Sequence, residues 1–446
     1  MAVYQDREAF IPYSRTDIIE LCLEDGQLAD EDVQKFRDFC QILAAYYHFR
    51  FHQTLETLKD NFAPFNPDAT NQFLNKPLPE QLKNMEIKVV ATFETLLERA
   101  NYVLLSPKNL QRAFQEKSLI ELKTSVDFDE LDQMVCYCCG DTHKVISIKK
   151  LWRKVQKSIE VFERVALLIK FKDEAYFNKK GVNTESFNFI PGKMYIYLYK
   201  NVPKFDLELL FPNIKISMTW KDRLLLVIPA IGAAIPLTLK ILPQLLLIIA
   251  AILFFTVGPS VLETVNASEE EVRNIMPVLV ATLSLLVTLG GFAFKQYSSY
   301  KSKQIKFQKK VTETLFFKNM ANNAGVFQSL IDIAEEEECK EIILVYYHLL
   351  TSSVPLAAEQ LDDQIEEWMD NKFGHKIDFD IQGPINNLKE IRGKVTEEAT
   401  NNNQTQGEIS LLDYDDRGHC QVLPLDEAKR VIDYVWDNAF LYSRLN

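Results

Sequence analysis

The sequence predicts an α+β protein built around a two-span α-helical membrane hairpin. Its expected parts are a helical N-terminal region (1–126), a small mixed α/β domain (127–221), a membrane segment (222–295), a basic amphipathic helix (296–318) and an acidic winged-helix-like domain (319–446). Three observations predict this. Residues 241–257 and 276–294 carry no charge. Aromatic and β-branched runs cluster between 127 and 221. The last portion alternates helical periodicity with one hairpin signal.

The N-terminal region reads as helices. Phe36, Phe39, Cys40, Leu43 and Tyr47 recur at helical spacing, as do Leu96, Leu97 and Ala100. A loop rich in Pro and Asn, 63–79, separates two helical groups. Next, 133–138, 161–171 and 193–199 read as strands bounded by turn residues, among them Pro191-Gly192.

A helix crossing a bilayer needs about 20 predominantly apolar residues. Spans are therefore expected at 241–258 and 276–294. Pro229, Pro236 and Pro243 interrupt the stretch before them, so 224–239 is expected as a membrane-associated pre-helix. Lys215, Lys221 and Arg223 precede it, and Lys295, Lys301, Lys303, Lys306, Lys309 and Lys310 follow the last span. The intervening loop holds Glu263, Glu269, Glu270 and Glu271 against Arg273. The positive-inside rule then places both flanking portions, and both termini, on the cytoplasmic or stromal side of a multi-pass membrane protein. The six lysines after the last span are candidate contacts for anionic lipid headgroups.

In the C-terminal portion, Asp332 and Glu335 to Glu338 are expected to open a helix, where acidic side chains suit the dipole. Two further helices, a polar insertion at 396–408, a hairpin turning near Asp415 to Gly418 and a last helix complete the winged-helix-like pattern. That domain is acidic. Residues 319–446 hold 25 acidic and 10 basic residues, within a whole-chain charge of -12. Phosphate contacts need a basic footprint, so nucleic acid is not an expected partner. A mean hydropathy of -0.11 and 25% charged residues confine any membrane segment to a small part of the chain. Seven cysteines, an odd number at irregular spacing, point to free thiols in a reducing compartment. The first residues lack a secretory or transit-peptide pattern.

Three runs, Arg7-Glu-Ala-Phe-Ile-Pro-Tyr-Ser-Arg15, Lys200-Asn-Val-Pro-Lys-Phe-Asp-Leu-Glu208 and Asp426-Glu-Ala-Lys429 with Trp436-Asp437, resemble the family called domain of unknown function 3754. Its members include the animal mitochondrial transmembrane protein 143 and many cyanobacterial and plastid proteins. The resemblance implies a two-span protein of a bacterial inner, thylakoid or organellar membrane. It implies no established activity, cofactor or catalytic residue.

Few constellations suggest chemistry. Cys136, Cys138, Cys139 and His143 could supply a Cys₃His zinc set, but the spacing is wrong for separated Cys pairs, and small residues at a strand end are the expected role. His375, Asp378 and Asp380 lie close in sequence, where capping of the following helix is the simpler role. His48 and His52 stand four apart without the glutamate of a zinc-protease motif. No phosphate-binding glycine loop or nucleophile elbow occurs. No catalytic residue, bound metal or cofactor is assigned, and the chain is not expected to be an enzyme. The expected function is a membrane-anchored scaffold or adaptor, its partners being the bilayer, an unknown protein and other copies of itself. The alternative is an oligomeric transport or channel component lined by Thr282, Ser284 and Thr288.

Overall fold

The computed structural model describes residues 7–8, 10–69, 77–106, 123–150, 153–217, 269–374, 376–394 and 408–439, with 74, 110 and 224 singly. From the N-terminus, β1 (Arg7–Glu8) precedes three helices: α1 (Arg15–Glu24), α2 (Asp30–Phe62) and α3 (Pro79–Arg99). Strands β2 (Val103–Leu104), β3 (Lys123–Val126), β4 (Leu131–Lys150) and β5 (Arg153–Phe171) follow. Then come α4 (Glu174–Lys179), β6 (Met194–Pro203), β7 (Ile214–Ser217) and the 50-residue α5 (Glu269–Lys318). Strand β8 (Asn319–Asn322) leads into α6 (Ala324–Thr351), α7 (Ala358–Phe373), β9 (Lys376–Ile377) and α8 (Gln382–Glu390). The described chain ends with β10 (Arg392–Gly393), β11 (Ile409–Ser410), β12 (Leu412–Tyr414), β13 (Cys420–Val422) and α9 (Leu425–Asp437).

These elements form two compact units. The first comprises 1–115, 128–207 and 318–446. Its main sheet has the order β2-β4-β5-β6-β8, antiparallel throughout, with β4 and β5 paired from Leu131↔Phe171 to Lys150↔Arg153. Alternate side chains leave a strand on opposite faces. Val135, Tyr137 and Cys139 of β4, Ala166 and Leu168 of β5, and Ile196 and Leu198 of β6 therefore share one face. That face joins the core built by α2, α3 and α6. The same core includes Ile18 near one end of the chain and Val431 near the other. Among the described residues all strand pairs are antiparallel except β1 with β9.

Strand β6 and helix α6 are joined at Asn323. Its φ of 48° is a left-handed conformation that asparagine tolerates better than most residues. Its amide donates to the Ile196 carbonyl at 2.6 Å, and its side-chain oxygen accepts from the Ile196 amide at 3.2 Å. The second unit comprises 116–127 and 208–317. There β3 pairs with β7, and Asn213 Nδ2 donates to the Asp127 carbonyl at 2.9 Å. Phe307 of α5 is buried against Leu209, with Ile214, Tyr300 and Val311 alongside.

The two-span hairpin is corrected. Among the described residues no helix is long and apolar enough to cross a membrane. The first expected span, 241–258, and residues 225–239 of the pre-helix lie outside the described residues. The second, 276–294, falls within α5, which runs unbroken from an acidic first turn into a lysine-rich second half. Lack of charge is not the same as continuous apolarity. The described positions of that stretch include Pro277, Ser284, Thr288, Gly290 and Gly291, each weakening the apolar surface that a span needs. The fold class is mixed α/β with antiparallel sheets. The multi-pass membrane location inferred from flanking charge falls with the spans, because the positive-inside rule orients only segments that cross.

Candidate functional site

Helix α6 was expected to open at its acidic run. It opens at Ala324, one strand turn after β8, which carries Glu335 to Glu338 into the helix interior. Leu330, Ala334, Glu337, Glu338 and Glu341 recur at spacings of three and four, so they share the face turned to the core. Glu337, Glu338, Lys340 and Glu341 are all buried. A buried charge is tolerated only when it is paired and hydrogen-bonded, and each has a partner from a distant part of the chain.

Lys340 is the centre. Its Nζ donates to the carbonyls of Ile11 at 2.6 Å and Tyr13 at 3.0 Å, and to Glu337 Oε1 at 2.7 Å. Glu337 Oε2 accepts from the Ile11 amide at 3.1 Å, and Glu336 Oε1 accepts from the Arg15 amide at 2.6 Å. The Arg7–Arg15 run is therefore held through its own backbone. A conformation stapled at these atoms delivers Ser14 to cap α1, where its side chain accepts from the Asp17 amide. Arg99, at the end of α3, makes a two-pronged contact with Glu338 and lies 4.3 Å from the Phe51 ring centroid. Asn101, at φ 57°, donates to Glu341 Oε1 at 2.7 Å.

The electrostatics are consistent with this geometry. Lys340 and Arg99 balance Glu337 and Glu338, leaving Glu341 as the surplus acid. Burial pushes Glu341 up to about 8, with Asn101's donation and the neighbouring carboxylates as lesser influences. Glu337 is raised by burial, and Lys340 opposes that shift. The cluster thus reaches charge balance near neutral pH by keeping a proton on Glu341. Its donors and acceptors are committed to fastening 11–15 and 99–101 onto α6. The arrangement acts as a lock on the chain's own backbone.

The other runs singled out in the sequence also serve joints. Asp426 pairs with Lys35 at 2.8 Å, Lys429 with Asp38 at 3.0 Å, and Trp436 meets Phe49 edge-on. Lys204 pairs with Asp141 at 2.7 Å and Glu160 at 2.8 Å. Sequence reasoning missed Glu337, Glu338, Lys340, Glu341, Arg99 and Asn101. Acidic residues repeating in phase with buried Leu330 and Ala334 were the signal that could have found them.

The structure does not gather the possible zinc set. Cys136 and Cys138 face one side of β4 and Cys139 the other, all three buried, while His143 is exposed opposite Glu160. Burial pushes the Cys136 thiol up to about 12, away from the thiolate a metal needs. Among the described residues no group of three or more His, Cys, Asp or Glu is arranged to hold a metal. All seven cysteines are buried, and none is joined in a disulfide. His375 lies outside the described residues; Asp380 Oδ1 accepts from the Gln382 amide at the start of α8, at 3.1 Å. His48 Nδ1 lies 2.9 Å from Glu335 Oε2.

The candidate lipid-contacting lysines all lie on α5. Lys295, Lys301, Lys306 and Lys309 are exposed and Lys303 is half-buried, while the Lys310 side chain is outside the description. Lys301 donates to Gln304, and Lys309 lies 3.7 Å from Glu313.

No solved structure matches the chain. Residues 162–325, from β5 to the head of α6, match the model of the family described as Protein of unknown function (DUF3754), so that stretch is similar to that family; no likeness to transmembrane protein 143 in particular is found.

Proposed function

We propose that this protein is a non-catalytic scaffold or adaptor that engages a protein partner through α5. The supporting observation is the exposure of large apolar side chains along that helix: Val280 at 54%, Val287 at 68%, Phe294 at 72% and Ile305 at 63%. Isolated exposed apolar residues are ordinary, but a run of them on one element marks an interaction surface. The polar cluster on α6 supports the same reading from the other side, since its groups are used up in internal fastening.

The test is a photo-crosslinking residue at Ile305 in the full chain, expressed in its own host. The expected result is a discrete protein adduct that disappears when Val287 and Phe294 are changed to Asn. A monodisperse chain without any protein adduct would overturn the reading.

A further inference from the structure

Strands β4 and β5 run past their neighbours. Strand β6 leaves β5 at Val161↔Pro203, and β2 leaves β4 at Val103↔Cys138, while β4 and β5 stay paired as far as Lys150↔Arg153. From His143↔Glu160 onward they form a two-stranded ribbon, roughly 27 Å long at about 3.4 Å per row. Of its described side chains, His143, Lys144, Val145, Gln156, Ser158 and Glu160 are exposed and Ile159 is buried. Lys144, at the root, donates to Asn201 Oδ1.

The charge of this ribbon sets it apart. From Lys144 to Ser158 the chain carries Lys144, Lys149, Lys150, Arg153, Lys154 and Lys157 and no acidic residue, in a protein of net charge -12. The last two rows are Lys149↔Lys154 and Lys150↔Arg153. Like charges directly opposite each other weaken a strand pair, so these rows work against the fold. Charge on a ribbon does guard its open edges against other strands. A Lys–Glu row would serve that purpose and hold the ribbon together as well, so the uniform sign has no use within the hairpin. The ribbon's nearest acids, Asp141 and Glu160, are taken by Lys204 at 2.7 and 2.8 Å. They stand roughly 20 Å or more from the last two rows, against a Debye length of about 8 Å in physiological salt.

We infer that the end of this ribbon docks peripherally on the anionic headgroups of a lipid bilayer. Successive residues of a strand belong to opposite faces, which places Lys149 and Lys154 on one face and Lys150 and Arg153 on the other. A charged plane met end-on reaches all four, whereas a polynucleotide lying along one face reaches two. In sequence, Leu151 and Trp152 separate the two basic pairs, and tryptophan favours the membrane–water interface. Near an anionic leaflet each Lys or Arg contributes about fivefold in affinity. Four together supply a factor on the order of several hundred. The docking needs no helix that crosses, and it goes beyond the adaptor reading without resting on α5.

The experiment is co-sedimentation of the purified full-length chain with phosphatidylcholine vesicles, with and without phosphatidylserine, over a range of salt. Two ribbon variants, Lys149→Gln with Lys150→Gln and Arg153→Gln with Lys154→Gln, are compared with Lys301→Gln plus Lys306→Gln on α5. Binding is expected only to the phosphatidylserine vesicles, and salt should weaken it. Either ribbon variant should lose about 25-fold in affinity, with its urea midpoint unchanged or raised because like-charge rows are relieved. The α5 variant should bind as the parent does. Full affinity in both ribbon variants, or a loss confined to the α5 variant, overturns the inference. Lower stability in the ribbon variants does so too, since the rows would then belong to the fold. A chain that binds neither vesicle also overturns it, and a shift of a mixed-sequence DNA duplex by that chain would assign the rows to nucleic acid instead.

Discussion

Helices α6 and α5 are both long, and both depart from the rule that charge faces water and apolar side chains face the core. They depart in opposite directions. Helix α6 encloses Glu337, Glu338, Lys340 and Glu341, whereas α5 displays Val280, Val287, Phe294 and Ile305. The difference shows where each helix finds its partners. Those of α6 are within the chain, some 240 to 330 residues away in sequence, and the contacts are stereospecific hydrogen bonds. The named apolar side chains of α5 stand exposed instead.

The contrast is broken most sharply at Lys340. Replacing it with Met leaves two backbone carbonyls without their donor and Glu337 as a buried, uncompensated acid. We expect a loss of about 3–5 kcal/mol in urea unfolding followed by circular dichroism. Lys306→Met, at an exposed position on α5, should change stability by less than about 0.5 kcal/mol. Equal losses at the two sites would show that the α6 charges behave as surface charges.

Glu341 gives an effect of similar size, and it depends on pH. The folded state holds this proton up to about 8, while an unfolded glutamate loses it near 4.3. The folded state therefore binds more protons between these values, and stability falls as pH rises through that window. Glu341→Gln keeps an oxygen for Asn101 and cannot ionise. It should match the parent below about pH 4.3 and exceed it by roughly 5 kcal/mol above pH 8. A difference that stays constant from pH 4 to 8 would show that Glu341 titrates normally.

At α5 the expected sign is a gain. A Cβ on Gly290 would meet nothing within 4 Å. Gly290→Ala should stabilise the helix by roughly 0.5–1 kcal/mol and raise helix content. A loss of stability would mean that this part of the helix is packed more closely than its exposure indicates.

These two helices also mark what could be read from the sequence. The strand cores at 161–171 and 193–199 were legible because β-branched and aromatic residues run together there between turn residues, and they fall in β5 and, from Met194, in β6. Strand β4 was read only to Cys138, yet it continues to Lys150. Beyond Gly140 its residues are largely polar, and pairing with β5 supplies what apolar patterning does not. The Glu335–Glu338 run was read as a helix's first turn because acidic side chains suit that end of the dipole. Its true partners, Ile11, Arg15 and Arg99, are joined to it only by the tertiary fold. The uncharged run at 276–294 was read as a span because composition alone does not register the small and polar residues that interrupt the face of α5.

The smallest effect tests where the buried character of α6 ends. Glu335 stands one residue before the pair Glu336 and Glu337 that grips the N-terminal run, and its partner His48 has a side chain 67% exposed. A contact to so exposed a side chain gains little, because water competes for it and ordering two side chains costs entropy. His48→Ala should therefore cost no more than about 1 kcal/mol, and the cost should shrink further at high salt. Urea midpoints of the parent and variant in 0.05 M and about 1 M salt would measure both. A salt-independent loss above about 2 kcal/mol would place Glu335 inside the desolvated cluster and extend the lock by one residue.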